Sequence, residues 1–177
     1  MRIMKQKITL IIFSLLIFIT AFTGFDNGKS EYLDDYRTIL YYNSAGEVPL
    51  TLYKTGENTT YEVCVIKAGV DLKATTEVTS QLISETKLAD YNASQGTKYV
   101  LLPADCYVME STSNVIFNID DTKQLIGVEF ITDKIYELDK TIDYVLPMEL
   151  INSKDSINVK LNTMFIKPKV VIPTLYI

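Results

Sequence analysis

Hydrophobic and polar residues alternate along most of the chain, and this alternation predicts β-strands. The run Tyr61–Ile66 is an example, and turn residues such as those of 54–58 separate the runs about every eight to fifteen residues. Strands are predicted within residues 50–53, 61–66, 72–78, 115–119, 126–130, 144–150 and 159–165. A period of two with frequent turns is typical of an all-β antiparallel sandwich with one buried face per strand.

One segment departs from this alternation and predicts a single short helix at about residues 84–95. Leu88 and Tyr91 are three residues apart, so they share one face of a helix. Ser84 suits the N-cap, and Gly96 suits the left-handed position that follows a helix. We expect Tyr91 to be a core residue of the fold.

Three further residues indicate how the chain turns around the predicted helix and strands. Asn92 lies near the helix end, where its amide can bond free backbone groups. Pro103 and Pro147 cannot donate a ladder hydrogen bond, so we expect them at strand starts, bulges or edges.

The N-terminus has the layout of an export signal. Basic Arg2, Lys5 and Lys7 precede the apolar run of residues 8–22. That run of about 15 residues is shorter than the roughly 20 that a bilayer-spanning helix needs. We predict a signal peptide at 1–24, a linker and lead-in at 25–44, and one β-sandwich domain at 45–177. An uncleaved N-terminal anchor is the alternative.

The junction after this signal is similar to a bacterial lipoprotein processing site except at one position. Such a site has a lipidated Cys after the small residue, and here Phe25 follows Gly24. Phe has no sulfur to lipidate, so Phe25 marks a degenerate lipobox. Membrane attachment is expected only through an uncleaved signal or through a restored lipid anchor.

Charge and composition exclude several classes of function. The chain has 17 Lys and Arg against 22 Asp and Glu, for a net charge of -5, so it lacks the basic surface that nucleic acid needs. It has no His, which removes His-based catalysis and His-ligated metal sites. No motif selects a catalytic carboxylate pair, so we expect no enzyme and no cofactor.

Few residues stand out as ligand-binding candidates. Tyr32, Tyr36, Tyr41 and Tyr42 cluster near the start and could stack on sugar rings, although strands are rich in Tyr for structural reasons. The acidic pairs at 34–35 and 120–121 lack the pattern of a calcium loop, so no metal site is predicted.

Two Cys residues and one Ser carry possible covalent chemistry. Cys64 and Cys106 can pair in an exported protein, but two unpaired buried Cys residues are favoured, since a single pair makes no disulfide framework. Ser156, within Asp155-Ser156-Ile157, resembles the short acceptor of bacterial O-glycosylation.

The helix and the residues after it resemble a known family. The run 88–107, LADYNASQGTKYVLLPADCY, is similar to a motif of an exported Bacteroidetes family of domains of unknown function. That family occurs at the N-terminus of some surface endo-β-N-acetylglucosaminidases and in surface proteins of glycan-utilisation systems. The resemblance covers about 45–171 and implies an Ig-like Greek-key sandwich and surface export, without catalytic residues. The family's usual turn after the strand at 115–119 is replaced by Asp120-Asp121-Thr122-Lys123.

Two hypotheses of function follow. The first is a non-catalytic exported accessory module that binds glycan or an envelope protein within a glycan-utilisation system. The second is a structural spacer or adhesion-type module that assembles through a sheet edge. Either one is expected in the envelope of a Gram-negative bacterium, at the outer-membrane surface or in the periplasm. The sequence does not specify an oligomeric state.

Overall fold

A computed structural model describes residues 38–110 and 112–173 of the chain. Within these residues there are eleven strands, two α-helices and one 3-10 turn at Ala104–Cys106. The helices are α1, Glu85–Gln95, and α2, Thr132–Glu137. The strands are β1 Ile39–Tyr42, β2 Gly46–Tyr53, β3 Thr59–Ala68, β4 Thr76–Leu82, β5 Val100–Leu101, β6 Tyr107–Val108, β7 Thr112–Phe117, β8 Lys123–Phe130, β9 Tyr144–Ile151, β10 Ser156–Ile157 and β11 Thr163–Val171.

The strands form two sheets whose inner faces meet in a common core. One sheet has the order β10-β1-β3-β8-β6, and the other has the order β2-β11-β9-β4-β7, with β5 beside β9. Alternate residues of each strand point inward, as the alternation of the sequence predicts. The all-β sandwich with a short helix is therefore confirmed. The largest fully buried side chains of the sandwich include Tyr42, Lys67, Phe117, Phe130, Phe165, Leu146 and Met148.

Three strand pairs are parallel, whereas the sequence predicts antiparallel pairing. The longest joins β2 to β11, from Gly46 opposite Met164 to Tyr53 opposite Val171. The two shorter pairs join β1 to β10 and β5 to β9. Because parallel neighbours are distant in sequence, local alternation gives no sign of them.

Three predicted strands are displaced along the chain, so that one end of each lies in a loop. β4 begins at Thr76, so the stretch before it is a loop, and Leu72 is 41% exposed. β7 ends at Phe117, which leaves Ile119 in a turn. β11 begins at Thr163, and Val159 is 81% exposed. In each case an apolar residue in a turn continues the alternation without being part of a strand.

Pro147 lies in a central strand, contrary to the expectation of a start, bulge or edge. It is buried within β9, opposite Phe165 of β11. On the other side of β9, the backbone N–H of Leu102 donates to Val145 and that of Ile83 donates to Pro147. Pro147 therefore lies where pairing with β5 stops and pairing with β4 starts, and it bonds Ile83 through its carbonyl alone.

The predicted helix and both of its ends are confirmed. The Ser84 hydroxyl accepts from the backbone N–H of Lys87 at 3.4 Å, and Gly96 has the left-handed φ of 68°. The second helix, α2, follows β8 and was not predicted, since its six residues are too few to show a helical period. Neither helix is long and apolar enough to span a bilayer.

Candidate functional site

The tyrosines singled out from the sequence are not gathered at one surface. Tyr42 is fully buried, and its hydroxyl shares a hydrogen bond of 2.8 Å with Ser80, so its ring has no face for a ligand. Burial raises the pKa of Tyr42 well above its usual range. Tyr41 points to the outer face of the first sheet and is half-buried opposite Ile66. Tyr32 and Tyr36 lie outside the described residues.

The residues predicted to carry covalent or metal chemistry have ordinary surroundings. Cys64 and Cys106 are both unpaired, with Cys106 buried in the core. Asp121 accepts from the backbone N–H of Asn118 at 2.8 Å and so stabilises the turn between β7 and β8. Within residues 38–110 and 112–173, no three Cys, Asp or Glu side chains are close enough to hold a metal ion. Ser156 is exposed in β10, and its glycosylation stays a prediction.

An aromatic cluster covers the outer face of the second sheet under α1. The Tyr91 ring lies 4.3 Å from the Phe165 ring, centroid to centroid, and Tyr99 lies 6.0 Å from Phe165. Ile83, Leu88 and Val145 are the other buried residues of this second core. Tyr91 is only half-buried, so it packs at the edge of this cluster and not inside the main core.

Asn92 connects α1 to the segment that carries Tyr99. Its amide oxygen accepts from the Thr97 hydroxyl at 2.7 Å and from the Tyr99 backbone N–H at 3.0 Å. Its amide nitrogen donates to the Tyr99 carbonyl at 2.8 Å. The expected bonding of backbone groups by this side chain is therefore confirmed, and it fixes the position of Tyr99.

A groove of about 620 Å³ lies beside Tyr99, between β11 and the loop from α2 to β9. β9 pairs with β11 only as far as Ile166, so the last residues of β11 have this loop as their neighbour. We call this cavity the β11 groove. Its lining combines prolines, aliphatic residues and a tyrosine with three lysines and three carboxylates: Glu47, Pro49, Ile135, Leu138, Asp139, Lys140, Ile142, Asp143, Tyr144, Lys167, Pro168, Lys169 and Val170.

Lys167 is the centre of the charged cluster at one end of the groove. Its ammonium lies 3.6 Å from Asp143 Oδ1, 3.8 Å from Glu47 Oε2 and 4.8 Å from the centroid of the Tyr99 ring. The Tyr99 hydroxyl donates to the other oxygen of Glu47. Burial raises the pKa of Tyr99, and the bond to Glu47 and its negative charge raise it further. Tyr99 is therefore a neutral donor at physiological pH.

A second group of charges lies at the other end of the groove. The Lys140 ammonium donates to the backbone carbonyls of Ile135 and Tyr136 and lies 4.8 Å from the centroid of the Tyr136 ring. Asp139 accepts from the backbone N–H and the hydroxyl of Thr141. The backbone bond, followed by that of the hydroxyl, lowers the pKa of Asp139, which remains a carboxylate.

This arrangement suits a ligand rich in hydroxyl groups. The distances from Lys167 to its carboxylates exceed those of direct hydrogen bonds, which are about 2.7 to 3.2 Å. Within the described part of the chain, Lys167 makes ion pairs but no such short bond, so its donors remain open to the groove. The carboxylates of Glu47 and Asp143 supply acceptors, and Tyr144 and Pro168 supply apolar faces.

Sequence reasoning did not select any residue of this groove. Glu47, Asp143 and Lys167 come from three separate segments, and the pairing of β11 with β2 on one side and with β9 on the other brings them together. A signal was nevertheless present. Lys167 and Lys169 alternate with Pro168 and Val170, which marks a strand face that carries charge.

Comparisons with known proteins support the fold. A family model described as an N-terminal domain matches residues 28–157. A candidate carbohydrate-binding protein from Bacteroides ovatus aligns over 73% of this chain and 37% of its own, at 20% identity and a TM-score of 0.55. A multidomain protein from the same species, which includes a domain of unknown function, aligns over 76% and 44%, at 15% identity and a TM-score of 0.52.

A third structure has weaker similarity. EndoBT-3987 from Bacteroides thetaiotaomicron, solved with the product Man5GlcNAc, aligns over 73% of this chain and 30% of its own, at 16% identity and a TM-score of 0.48. The chain thus spans less than half the length of each of these proteins. No curated protein matches it significantly in sequence.

Proposed function

Because the chain belongs to the family of N-terminal domains whose model matches residues 28–157, we propose that it is a non-catalytic, exported module that binds glycan. The family is the one that the sequence resembles at 88–107. The module acts at the bacterial cell surface, within a glycan-utilisation system. The similarity to a candidate carbohydrate-binding protein agrees with this proposal.

The open donors of Lys167 at the end of the β11 groove carry the proposal. A sugar hydroxyl beside this ammonium can accept from Lys167 and donate to one of the two carboxylates, Glu47 or Asp143. The aromatic and proline surfaces of the lining then contact the C–H faces of the ring. Such a site binds without needing Trp, which the chain lacks.

The carboxylates of the groove favour binding over hydrolysis. A glycosidase needs one protonated acid with a raised pKa and one free carboxylate across the scissile bond. Asp139 has a lowered pKa, and Glu47 already accepts from Tyr99 and faces Lys167. Asp139 and Glu47 are thus each held as an acceptor, which does not suit the protonated acid that a leaving group needs.

The test is a titration of the purified chain, from which residues 1–24 have been removed, with neutral oligosaccharides. Calorimetry should give dissociation constants between about millimolar and micromolar for at least one of them. Lys167→Met should weaken that binding about tenfold or more, whereas Lys160→Met, an exposed lysine outside the groove, should leave it unchanged.

Two results would contradict the proposal. Equal affinity of the two variants for the sugar would mean that Lys167 does not contact it and that the sugar binds outside the groove. Release of reducing ends from any oligosaccharide by the wild-type chain, abolished by Glu47→Gln, would replace the binding function with a catalytic one.

A further inference from the structure

The two sheets of the sandwich end in four edge strands within the described residues, and three of these edges are protected. β6 and β10 have only two residues each. β2 has eight residues, but it contains Pro49 and the exposed charge of Glu47. Short length, proline and charge are the features that prevent an edge strand from pairing with another chain.

β7 has none of these protections. Its six residues, TSNVIF, contain no proline and no charge. Among the described strands it pairs only with β4, so the backbone groups on its other side have no strand to bond. Ile116 lies on the outer face of this strand and is 57% exposed.

The surface around β7 is also apolar. β8 follows β7 in the chain. β6 pairs with only the last two residues of β8, Glu129 and Phe130. Val108, Ile119 and Leu125, which are 58%, 62% and 50% exposed, belong to the strands and the turn of this side. Exposed apolar side chains beside an unpaired strand indicate an interaction surface.

We propose that β7 pairs antiparallel with β7 of a second copy of this chain, about a two-fold axis at Asn114. The sheet β2-β11-β9-β4-β7 of one copy then continues into the same sheet of the other copy. In this register Thr112 lies opposite Ile116, and Asn114 lies opposite its own copy on the outer face. Ser113 lies opposite Val115 on the inner face.

The sequence of β7 suits a second copy as the partner. Residues that share a face meet each other at every position of this register. The Asn114 oxygen accepts from the Thr79 hydroxyl of β4 at 3.2 Å, and the Asn114 amide nitrogen is left to donate to the Asn114 oxygen of the other copy. No charged residue faces a like charge, because the strand has none. This inference does not depend on the glycan-binding proposal, because the β11 groove lies beside β2 and β11, at the opposite end of the sheet.

Sedimentation velocity over a range of concentrations tests the proposal with two charged variants. The wild-type chain should form a dimer with a dissociation constant on the order of micromolar. Asn114→Lys places two lysines opposite each other at the axis and should weaken the dimer at least about fivefold. An equimolar mixture of Asn114→Lys and Asn114→Asp should restore it, because the opposite residues then attract.

Two further variants establish that the dimer forms through β7. Thr51→Lys puts the same charge on the opposite edge of the same sheet and should leave the dimer unchanged. Ile116 lies opposite Thr112 and not opposite its own copy, so Ile116→Lys should weaken the dimer without placing two lysines opposite each other. Thermal melts establish that each variant is folded. A wild-type chain that stays monomeric, or an Asn114→Lys variant that dimerises as the wild type does, would overturn the proposal. Failure of the mixture to restore the dimer would also overturn it.

Discussion

The Tyr99 hydroxyl donates a hydrogen bond to the Glu47 carboxylate across 52 residues of chain. Tyr99 belongs to the segment that α1 and Asn92 hold in place, whereas Glu47 belongs to the edge strand β2. The bond thus joins the aromatic cluster under the helix to the β11 groove. It also orients a carboxylate that would otherwise rotate freely on an exposed strand.

Replacement of Tyr99 by Phe should lower the stability modestly and the glycan affinity more clearly. The change removes one hydrogen bond to a half-exposed carboxylate, which stabilises the fold by about 1 kcal/mol. Glu47 then loses its fixed orientation toward Lys167. Denaturant unfolding and calorimetric titration measure the two effects, with the exposed Tyr53→Phe as the control. An affinity that is unchanged in Tyr99→Phe would show that Glu47 needs no orientation.

The fold should lose stability above about pH 10. The pKa values of Tyr42 and Tyr99 are raised above the usual tyrosine value of 10.0 in the folded chain, so unfolding allows both hydroxyls to ionise at a lower pH. Their stabilising contribution is complete below pH 10 and decreases as the pH rises beyond it. Denaturant midpoints measured from about pH 8 to 12 should fall less steeply in Tyr42→Phe than in Tyr53→Phe. Parallel curves would mean that the Tyr42 hydroxyl does not control the alkaline transition.

Asn92→Ala should destabilise the domain by on the order of 2 to 3 kcal/mol. The change leaves the Tyr99 backbone N–H and carbonyl and the Thr97 hydroxyl without their partner. Gln95→Ala, four residues before Tyr99 and exposed, is the matched control and should change the midpoint little. Equal midpoints for the two variants would contradict the role assigned to this amide.

Lys67→Met should cost about 2 to 4 kcal/mol despite the similar length of the new side chain. The Lys67 side chain is 1% exposed, and its ammonium donates to the carbonyls of Ala74 and Asn118 at 3.0 Å each. Met cannot donate, so both carbonyls lose this partner. Lys123→Met, an exposed lysine opposite Ile66 in the same sheet, should leave the thermal midpoint nearly unchanged.

Phe25→Cys should produce a lipidated protein if the junction is a degenerate lipobox. The cysteine supplies the sulfur that Phe25 lacks, after the small residue Gly24. Expression with labelled fatty acid in a Gram-negative host should label the variant and not the wild-type chain. The wild-type product should begin between about residues 22 and 26 by mass spectrometry. An intact Met1 on envelope material would argue for the uncleaved anchor.

Local features of the fold were predictable because local physics determines them. Ser84 and Gly96 bracket α1 through hydrogen bonding and backbone conformation of single residues. The burial of Tyr42 had a signal as well. Tyr42 shares its strand face with Leu40, so of the two adjacent tyrosines it was the one directed inward. Grouping the four tyrosines as one cluster ignored this alternation.

The groove was not predictable because its parts meet only through long-range pairing. The positions of Glu47 and Lys167 follow from the parallel register of β2 with β11, and no turn or spacing in the sequence encodes that register. Tyr91 shows a smaller error of the same kind. Its helical position was correct, but its partner Phe165 lies on the outer face of the sheet, so the ring is only half-buried.

The parallel pairing of β2 with β11 also sets the order in which the molecule can assemble. β2 has no other partner among the described strands, so it cannot pair in a sheet before the residues from Met164 onward have been synthesised. Contacts of such long sequence separation form late and slowly in folding. A nascent chain that has not yet released β11 therefore leaves β2 without a strand to pair with. The second sheet is completed along this edge only when β11 becomes available, however early the residues of β2 are synthesised.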